Sequence, residues 1–185
     1  MWRSPDQDSG HQARLSLASF ELFYRRYLPV LLRYLVSQAR DSSWALDIAQ
    51  DTMLAASDNW DDLLTYDRPD AWIFRVATRQ LRRLEAQARE RCWLPEDLGD
   101  RDDVQLAATT DPWVSEHQEL LAAVRALPRR QAEVIGLHLL AGYPADETAL
   151  ILACGEGTVR TQLRRGLAEL RRLEANVPSE RGSLR

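Results

Sequence analysis

The sequence predicts an all-α fold, composed of two small helical domains joined by an acidic linker. Apolar residues recur at helical spacing along most of the 185 residues, and runs of β-branched residues are short. The content of 45% hydrophobic and 28% charged residues is enough for cores of this size, and it excludes a collagen-like, fully disordered or disulfide-stapled chain. A stretch rich in Asp and Glu, interrupted by Pro and Gly, separates two arginine-rich halves.

The net charge alone does not identify a partner. The 28 acidic and 24 basic residues give a formal charge of −4, so no basic excess points to nucleic acid. Every basic residue is arginine, the side chain suited to bidentate contacts with phosphate and guanine. A GC-rich coding bias also explains this composition. The positions of the arginines therefore carry more information than their number.

Neither the cysteines nor the hydropathy indicates a cofactor, a metal or a membrane. Cys92 and Cys154 lie far apart and outside any C-x-x-C motif, which is typical of a reducing cytoplasm and predicts no zinc framework. Isolated thiols are more often inert than redox-active, and a redox role for them stays open. No apolar run reaches the roughly 18 residues that a membrane span needs. We expect a cytoplasmic protein without cofactor, metal ion, membrane partner or small-molecule substrate.

The first half, residues 15–91, is expected to form a bundle of three helices. Apolar stripes and cap signals place these helices at Leu17–Arg40, Ser43–Trp60 and Asp70–Arg91. Pro29 is expected to bend or split the first helix, and Asp70 is the expected N-cap of the third. A short polar loop, Asp61–Pro69, joins the second helix to the third.

The second half begins after an acidic linker that we place at residues 92–112. From Cys92 to Glu119, eight acidic residues and one arginine give a net charge of −7, and Pro95, Gly99 and Pro112 break any long helix. Helices are predicted in residues 113–175 at Trp113–Leu127, Arg129–Leu140, Ala145–Leu152 and Gly155–Ala175. The short turn Ala153-Cys154-Gly155 makes the last two a predicted helix-turn-helix.

The last predicted helix has one apolar face and one arginine-rich face. Val159, Leu163 and Leu170 share the apolar face, and no arginine falls on it. Between Thr158 and Arg172, five arginines and one glutamate give a net charge of +4. Because an α-helix fits the major groove of DNA, this pattern favours DNA binding. An ordinary amphipathic surface helix is the simpler alternative.

The third predicted helix repeats this two-faced pattern. Ile73, Ala77 and Leu84 share an apolar face, and six arginines with two glutamates between Trp72 and Arg91 give a net charge of +4. Three aromatic residues, Trp60, Tyr66 and Trp72, bracket the loop before this strip and have faces suited to an unstacked base. For Trp60 and Trp72, a place in the core is the alternative.

The second predicted helix has an acidic face. Asp47, Asp51 and Asp58 line up along it, with Gln50 and Leu54 beside them. An acidic face with an apolar edge does not attract DNA. It suits a basic protein surface, and a merely solvated face is the alternative.

In their order and spacing, these motifs resemble bacterial RNA polymerase sigma factors of the sigma-70 family, extracytoplasmic-function (ECF) type. The resemblance covers about Phe20 to Arg172. Three strings resemble region 2 of that family: Phe20-x-x-Phe-Tyr-Arg-Arg-Tyr27, Asp47-Ile-Ala-Gln-Asp-Thr-Met53 and Asp70-Ala-Trp-Ile-Phe-Arg-Val-Ala77. Three others resemble region 4: Leu127-Pro-Arg-Arg-Gln131, Ala141-Gly142-Tyr143 and Gly155-Glu-Gly-Thr-Val-Arg-Thr161.

The resemblance implies three binding surfaces, with core RNA polymerase and promoter DNA as partners and an anti-sigma protein as a further one. The residues implied to dock on the clamp helices of the polymerase are Asp47, Gln50, Asp51 and Leu54. Those implied to capture and melt the −10 element are Asp61, Tyr66, Trp72, Arg75, Arg79, Arg82 and Arg83. Those implied to bind the −35 element are Arg129, Arg130, Thr158, Arg160, Thr161, Arg164 and Arg165. The acidic linker is implied to thread the RNA path of the polymerase.

The chain departs from the family pattern at several positions. Arg79 and Arg83 stand where the family commonly has Asn and Asp, so the strip on the third helix is more basic here. Gln162 stands where Arg is frequent, Thr148 where Ile is, and Pro144 where a helix-starting Ser is usual. The −35 preference is therefore not transferable from relatives.

Two other functions compete with the sigma factor hypothesis. A helix-turn-helix regulator would bind a symmetric operator by itself, using the first half to sense or dimerise. A polymerase-binding regulator would have lost promoter recognition. An enzyme is not expected, because the three histidines lack H-E-x-x-H spacing and the chain has no glycine-rich phosphate loop.

Overall fold

A computed structural model describes residues 5–91 and 111–175, and the regular structure within them is entirely helical. The first range contains α1 Pro5–Gln38, α2 Ser42–Asp58, α3 Trp60–Leu63 and α4 Pro69–Arg91. The second contains α5 Pro112–Glu116, α6 Gln118–Ala126, α7 Arg129–Ile135 with a π-helical turn Gly136–Leu140, α8 Ala145–Leu152 and α9 Glu156–Ala175. The all-α prediction is confirmed. No helix in the described ranges has both the length and the apolar character that crossing a membrane requires.

Several predicted helix boundaries are corrected. α1 begins earlier, at Pro5, and continues through Pro29 as one helix. Asp70 is not the N-cap of α4, because the helix starts at Pro69, whose fixed φ suits the first helical position. Trp113–Leu127 is two helices rather than one, with a break at His117, and Arg129–Leu140 changes from α to π geometry after Ile135. The linker residues 92–110 lie outside the described residues.

The first half packs α1, α2 and α4 around a common core. Leu31 and Leu35 of α1, Ile48 of α2 and Ile73 and Phe74 of α4 are fully or almost fully buried. The Tyr34 hydroxyl lies 2.8 Å from Thr78 Oγ1, so it is hydrogen-bonded inside this core. Apolar residues at helical spacing thus form the buried faces that the sequence predicts.

The second half contains the predicted helix-turn-helix. Val124, Ile135 and Leu170 join α6, α7 and α9 in a smaller core, and α8 leads into α9 through a three-residue turn. Ala153 in that turn adopts a left-handed conformation, with φ of 51°, which costs a non-glycine residue about 1–2 kcal/mol. The turn fixes the direction in which α9 leaves α8.

The two halves pack against each other within the described residues. α4 contacts α8, and α1 contacts α6, α7 and the π-helical turn. One cluster of buried apolar side chains includes residues of both halves, among them Phe74 and Tyr143, whose rings meet edge to face at 5.1 Å. The division into domains 15–91 and 113–175 stays a prediction. In the structure, helices of the two ranges are in contact with each other.

Gly166 is predicted to be required for the packing of α9 on α7. A Cβ at this position would lie 2.8 Å from Cγ1 of Ile135, a fully buried residue with little room to move. We expect Gly166→Ala to destabilise the protein by about 1–3 kcal/mol. Gly157→Ala, on the same helix but facing open space, is the control and is expected to be neutral or stabilising by up to about 1 kcal/mol. Urea unfolding midpoints measure both, and a Gly166→Ala variant as stable as the control would contradict the prediction.

Candidate nucleic-acid and protein interfaces

The acidic face predicted on the second helix is exposed on α2. Asp47, Gln50, Asp51 and Leu54 lie on its solvent side, with 63% of Leu54 exposed. The opposite side of α2 is buried through residues such as Ile48 and Ala56 of the core. Within the described residues, neither aspartate of this face forms an ion pair. The structure thus brings these four side chains together as one acidic surface with an apolar edge.

The arginines of α4 lie on the side of the helix opposite its core face. Arg75, Arg79 and Arg83 are accessible to solvent, and Arg82 is half-buried. Ile73, Phe74, Ala77 and Leu81 are buried on the other side. The predicted basic strip is therefore present on one helix face, and its members differ in what they contact.

Two arginines of this strip contact the second half of the chain. Arg82 donates from Nε and Nη2 to the two carboxylate oxygens of Glu133, at 2.8 and 2.7 Å. Arg75 donates from Nη2 to the main-chain carbonyl of Leu150 in α8. Arg79 and Arg83 have no hydrogen-bond or ion-pair partner among the described residues. The strip thus has two occupied guanidinium groups and two available ones.

The aromatic residues before α4 differ in exposure. Trp60 is buried against Phe20 and Phe23, and its Nε1 donates to Ser19 Oγ at 2.8 Å, so it belongs to the core. Trp72 is half-buried against the core, and Tyr66 is 51% exposed. Asp61 is exposed and accepts a hydrogen bond from Ser16 Oγ at 2.8 Å. Among the three aromatic candidates, Tyr66 has the most accessible ring.

The predicted DNA-facing side of α9 is exposed at most positions. Thr158, Arg160, Arg164 and Arg165 are exposed, and Thr161 is half-buried with its hydroxyl donating to the Gly157 carbonyl. Arg160 forms an ion pair one turn back with Glu156. Val159 and Leu170 are buried on the opposite side. α9 therefore has the two-faced character that its sequence predicts.

Arg129 and Arg130, the other predicted −35 residues, lie beside the buried carboxylate of Glu133. Arg129 contacts Glu133 Oε1 at 3.1 Å and Glu85 of α4 at 2.7 Å, and Arg130 contacts Glu133 Oε2 at 3.6 Å. Glu133 is only 3% exposed, and Arg82 completes its surroundings. We call Glu133 with Arg82, Arg129 and Arg130 the carboxylate cluster. The hydrogen bond from Arg82 to Glu133 also raises the pKa of Arg82.

A second polar contact between the halves is centred on Asp70. The Tyr143 hydroxyl donates to Asp70 Oδ2 at 2.9 Å, and Arg68 donates to both Asp70 oxygens. Arg68 also pairs with Glu147 of α8 and lies over the Tyr143 ring, 5.6 Å from its centre. Burial and the nearby Asp70 carboxylate raise the pKa of Tyr143, so it stays protonated and donates. Burial alone would raise the pKa of Asp70, but the bonds from Arg68 and Tyr143 lower it.

A third set of contacts joins α1 to the second half. Arg33 pairs with Asp111 at 2.8 Å, and its hydrogen bond lowers the pKa of that carboxyl. Gln38 donates to the Ala132 carbonyl at 3.0 Å. Gly136 allows close approach here, because a Cβ on it would lie 2.6 Å from Gln38 Nε2 and 3.0 Å from Tyr34 Cδ2.

Sequence reasoning missed the residues that join the two halves. Glu133 carries one usable signal, since it is a charged residue among the buried apolar neighbours Val134 and Ile135, and such a residue needs a partner. Its partner Arg82 is 51 positions away, and nothing in a single sequence couples the two. The roles of Arg68, Tyr143 and Glu147 lack any local signal.

A cavity of about 600 Å³ lies between α4 and the α8–α9 turn. Its α4 wall contains Arg75, Thr78, Arg79 and Arg82, and its other wall is formed by residues 149–155. None of these lining residues carries a carboxylate. The turn of the helix-turn-helix therefore faces the basic strip of α4 directly.

Two family models match this chain in the order in which the two halves occur. The model described as Sigma-70 region 2 matches residues 23–90, and the model described as Sigma-70, region 4 matches residues 117–170. Together they cover most of the chain, including α2, α4 and the helix-turn-helix. A match to both regions does not favour a regulator that has only a DNA-binding helix-turn-helix.

The chain is also similar to known sigma factors along most of its length. The chain is 27% identical over 147 residues to an ECF RNA polymerase sigma factor, EcfG, of Rhodopseudomonas palustris, covering 77% of this chain and 78% of that protein. It is 28% identical over 156 residues to an RNA polymerase sigma-E factor of Streptomyces avermitilis, covering 82% and 83%. The fold resembles that of the sigma factor RpoE solved with the anti-sigma factor NepR from Bartonella quintana, with a TM-score of 0.64, 21% identity and coverage of 85% and 98%.

The family matches and the acidic and basic helix faces lead to one conclusion about function. A sigma factor is the subunit that binds core RNA polymerase and directs it to promoter DNA, and this chain has both regions of that family in the expected order. The chain belongs to the sigma-70 family and is an ECF-type sigma factor that directs transcription initiation by RNA polymerase.

Proposed function

We propose that this sigma factor divides its three contacts among three helices: α2 docks on core polymerase, α4 binds the −10 element, and α9 reads the −35 element. The observation that carries this proposal is that each helix buries an apolar face and exposes a charged one. The exposed face is acidic on α2 and basic on α4 and α9. Residues 15–91 form the region 2-like unit, residues 113–175 the region 4-like unit, and residues 92–112 the acidic linker between them. The linker occupies the RNA path of the polymerase, where its carboxylates resemble nucleic acid.

The polymerase contact is formed by Asp47, Gln50, Asp51 and Leu54. The two aspartates are exposed and lack ion-pair partners in the described parts of the chain, so a basic partner can pair with them without displacing another group. Leu54 supplies an apolar contact at the same place. A protein interface with a charged rim and an apolar centre has this composition.

The −10 contact is formed by α4 and the residues before it. Asp61, Tyr66 and Trp72 capture an unpaired base, and the exposed Tyr66 ring is available for stacking. The displaced strand is held by the arginines of the α4 strip: Arg75, Arg79, Arg82 and Arg83. Arg79 and Arg83 are the members of this strip whose guanidinium groups are available in the present arrangement.

The −35 contact is formed by α9, with Thr158, Arg160 and Thr161 in its first turns and Arg164 and Arg165 further along. Because α9 is an exposed helix with its apolar face covered by α6 and α7, it can enter the major groove. Arg129 and Arg130 contribute phosphate contacts once they are released from Glu133.

We further propose that the chain performs no chemistry itself, acts in the cytoplasm, and is held inactive by an anti-sigma protein. Nucleotide addition belongs to the polymerase. The RpoE structure to which this fold is similar contains an anti-sigma factor, NepR, and this supports an inhibitor of that class here.

Charge reversal on α2 is expected to abolish transcription. Asp47→Arg with Asp51→Arg would place cations against a basic polymerase surface, so run-off transcription with purified core polymerase should fall to background. Glu116→Arg with Glu119→Arg, an equal charge change on exposed residues of α5 and α6, is the control and should retain activity. Full activity of the Asp47 and Asp51 variant would refute the assignment of this surface.

Substitution of two arginines on α9 is expected to reduce the salt dependence of −35 binding. Each arginine that binds a phosphate contributes roughly 0.9 to the magnitude of the slope of log affinity against log salt. Arg164→Ala with Arg165→Ala should therefore reduce that magnitude by about 1.8 if both side chains bind phosphates. If they bind bases instead, the substitution costs roughly 1–3 kcal/mol per base pair and leaves the slope nearly unchanged. Duplex titrations with the holoenzyme measure both quantities, and Arg171→Ala, nearer the end of α9, is the control.

A further inference from the structure

We infer that the cavity between α4 and the α8–α9 turn is a binding site for a small phosphorylated ligand of nucleotide size, of the class of the nucleoside di- and triphosphates. The two walls of this cavity differ in chemistry, with guanidinium groups on α4 and carbon side chains on residues 149–153. The inference goes beyond the proposed function, which concerns polymerase and promoter DNA.

The α4 wall carries positive charge that no carboxylate lining the cavity balances. Arg75, Arg79 and Arg82 recur at helical spacing, so their side chains follow one stripe of α4. Arg82 is already bound to Glu133 through Nε and Nη2. Arg75 donates from Nη2 to the Leu150 carbonyl, and Arg79 has no hydrogen-bond or ion-pair partner among the described residues. Arg75 and Arg79 therefore keep guanidinium donors for an anion that enters the cavity.

Phosphate is the anion that fits these two arginines. A guanidinium group presents its N–H donors in a planar fork that matches two phosphate oxygens. Positions 75 and 79 are separated by about 6 Å along the helix axis, so one ligand with adjacent phosphoryl groups can reach both forks. Gly155 also lines the cavity just before α9, and the positive end of that helix dipole favours negative charge at the same edge. The expected anion is therefore a diphosphate or triphosphate group.

The opposite wall is uncharged and suits the rest of the ligand. Residues 149–153 have the sequence Ala-Leu-Ile-Leu-Ala, and all five line the cavity. Leu150 is 63% exposed, so its side chain has apolar area left for a ligand to cover. A nucleobase that packs on this wall removes apolar surface from water, which favours binding. The cavity volume of about 600 Å³ lies within the range of small-molecule sites.

Two substitutions at Leu150 test the effect of charge in the cavity. Leu150→Asp places a carboxylate opposite the arginines, where it repels the phosphates and competes for the guanidinium groups. Leu150→Asn has nearly the same shape without the charge and is the matched control. Because Leu150 is exposed and meets Arg75 through its main-chain carbonyl, both variants are expected to fold. Circular dichroism and thermal melting verify the folding.

A second pair of substitutions tests the arginines. Arg79→Ala removes an available guanidinium group from the cavity. Arg83→Ala removes an exposed guanidinium group one turn further along α4, outside the cavity, and is the control. We expect Arg79→Ala to weaken ATP binding about 10–100-fold, because it removes charge-assisted hydrogen bonds to phosphate. Arg83→Ala should leave the ATP affinity nearly unchanged.

Isothermal titration calorimetry of the full chain with ATP, pyrophosphate and adenosine, each at about 0.15 M salt, measures binding. We expect one saturable ATP site, weaker binding of pyrophosphate and no detectable binding of adenosine. The Leu150→Asp protein should bind ATP at least about tenfold more weakly than the Leu150→Asn protein. In a Cys92→Ser background, ATP should slow the alkylation of Cys154, which lines the cavity.

Three results would each overturn the inference: no saturable binding of ATP, equal ATP affinity of the Leu150→Asp and Leu150→Asn proteins, or alkylation of Cys154 that ATP does not slow. Pyrophosphate or adenosine that binds as tightly as ATP overturns the nucleotide class, since one wall would then contribute nothing.

The proposed function fails separately from this site. Asp47→Arg with Asp51→Arg lies on α2, outside the cavity, so that variant should keep ATP binding while it loses transcription. If the variant retains transcription and binds ATP, the polymerase contact is wrong and the ligand site stands. If it loses transcription and the unsubstituted chain binds no ATP, the polymerase contact stands and the ligand site is wrong.

Discussion

The buried carboxylate of Glu133 is the interaction on which the arrangement of the two halves depends. It lies beside Val134 and Ile135, where an unpaired charge would cost several kcal/mol, so it requires cations close by. Arg129 and Arg130 of its own helix approach it, and the bidentate contact comes from Arg82 of α4. The contact between Arg82 and Glu133 places the polar face of α4 beside α7. In the same arrangement, Arg75 of α4 reaches the Leu150 carbonyl of α8, and the Tyr143 hydroxyl reaches Asp70.

Much of the local structure can be predicted because it depends on local physics. The apolar spacing of Ile73 and Ala77 specifies the buried face of α4, and Val159 and Leu170 do the same for α9. The sequence predicts Ala145–Leu152 with the bounds that the structure shows, since proline precedes it and a tight turn follows. The acidic face of α2 and the exposed arginines of α9 follow from the same periodicity, because a helix that buries one stripe must expose the other.

The remaining features depend on contacts between residues far apart in sequence. Trp60 is equally suited to a base-stacking surface and to a core, and only its packing on Phe20 and Phe23 decides. Asp70 has the residue type of an N-cap, but its carboxylate accepts from Tyr143, 73 positions away. Periodicity assigns Arg82 to a polar face without revealing that a carboxylate of the other half lies there. A prediction that counts the arginines on a helix face therefore includes side chains, such as Arg82, that already bind a carboxylate of the protein itself.

The chemistry of arginine makes the exposed face of α4 suited to either of two anions, a carboxylate or a phosphate. A guanidinium group keeps its charge and presents a planar fork, which fits a carboxylate and a phosphate equally well. A surface suited to phosphate is therefore also a surface on which an internal glutamate can bind. In the structure Glu133 binds Arg82 intramolecularly, at an effective concentration that a dissolved phosphate does not match.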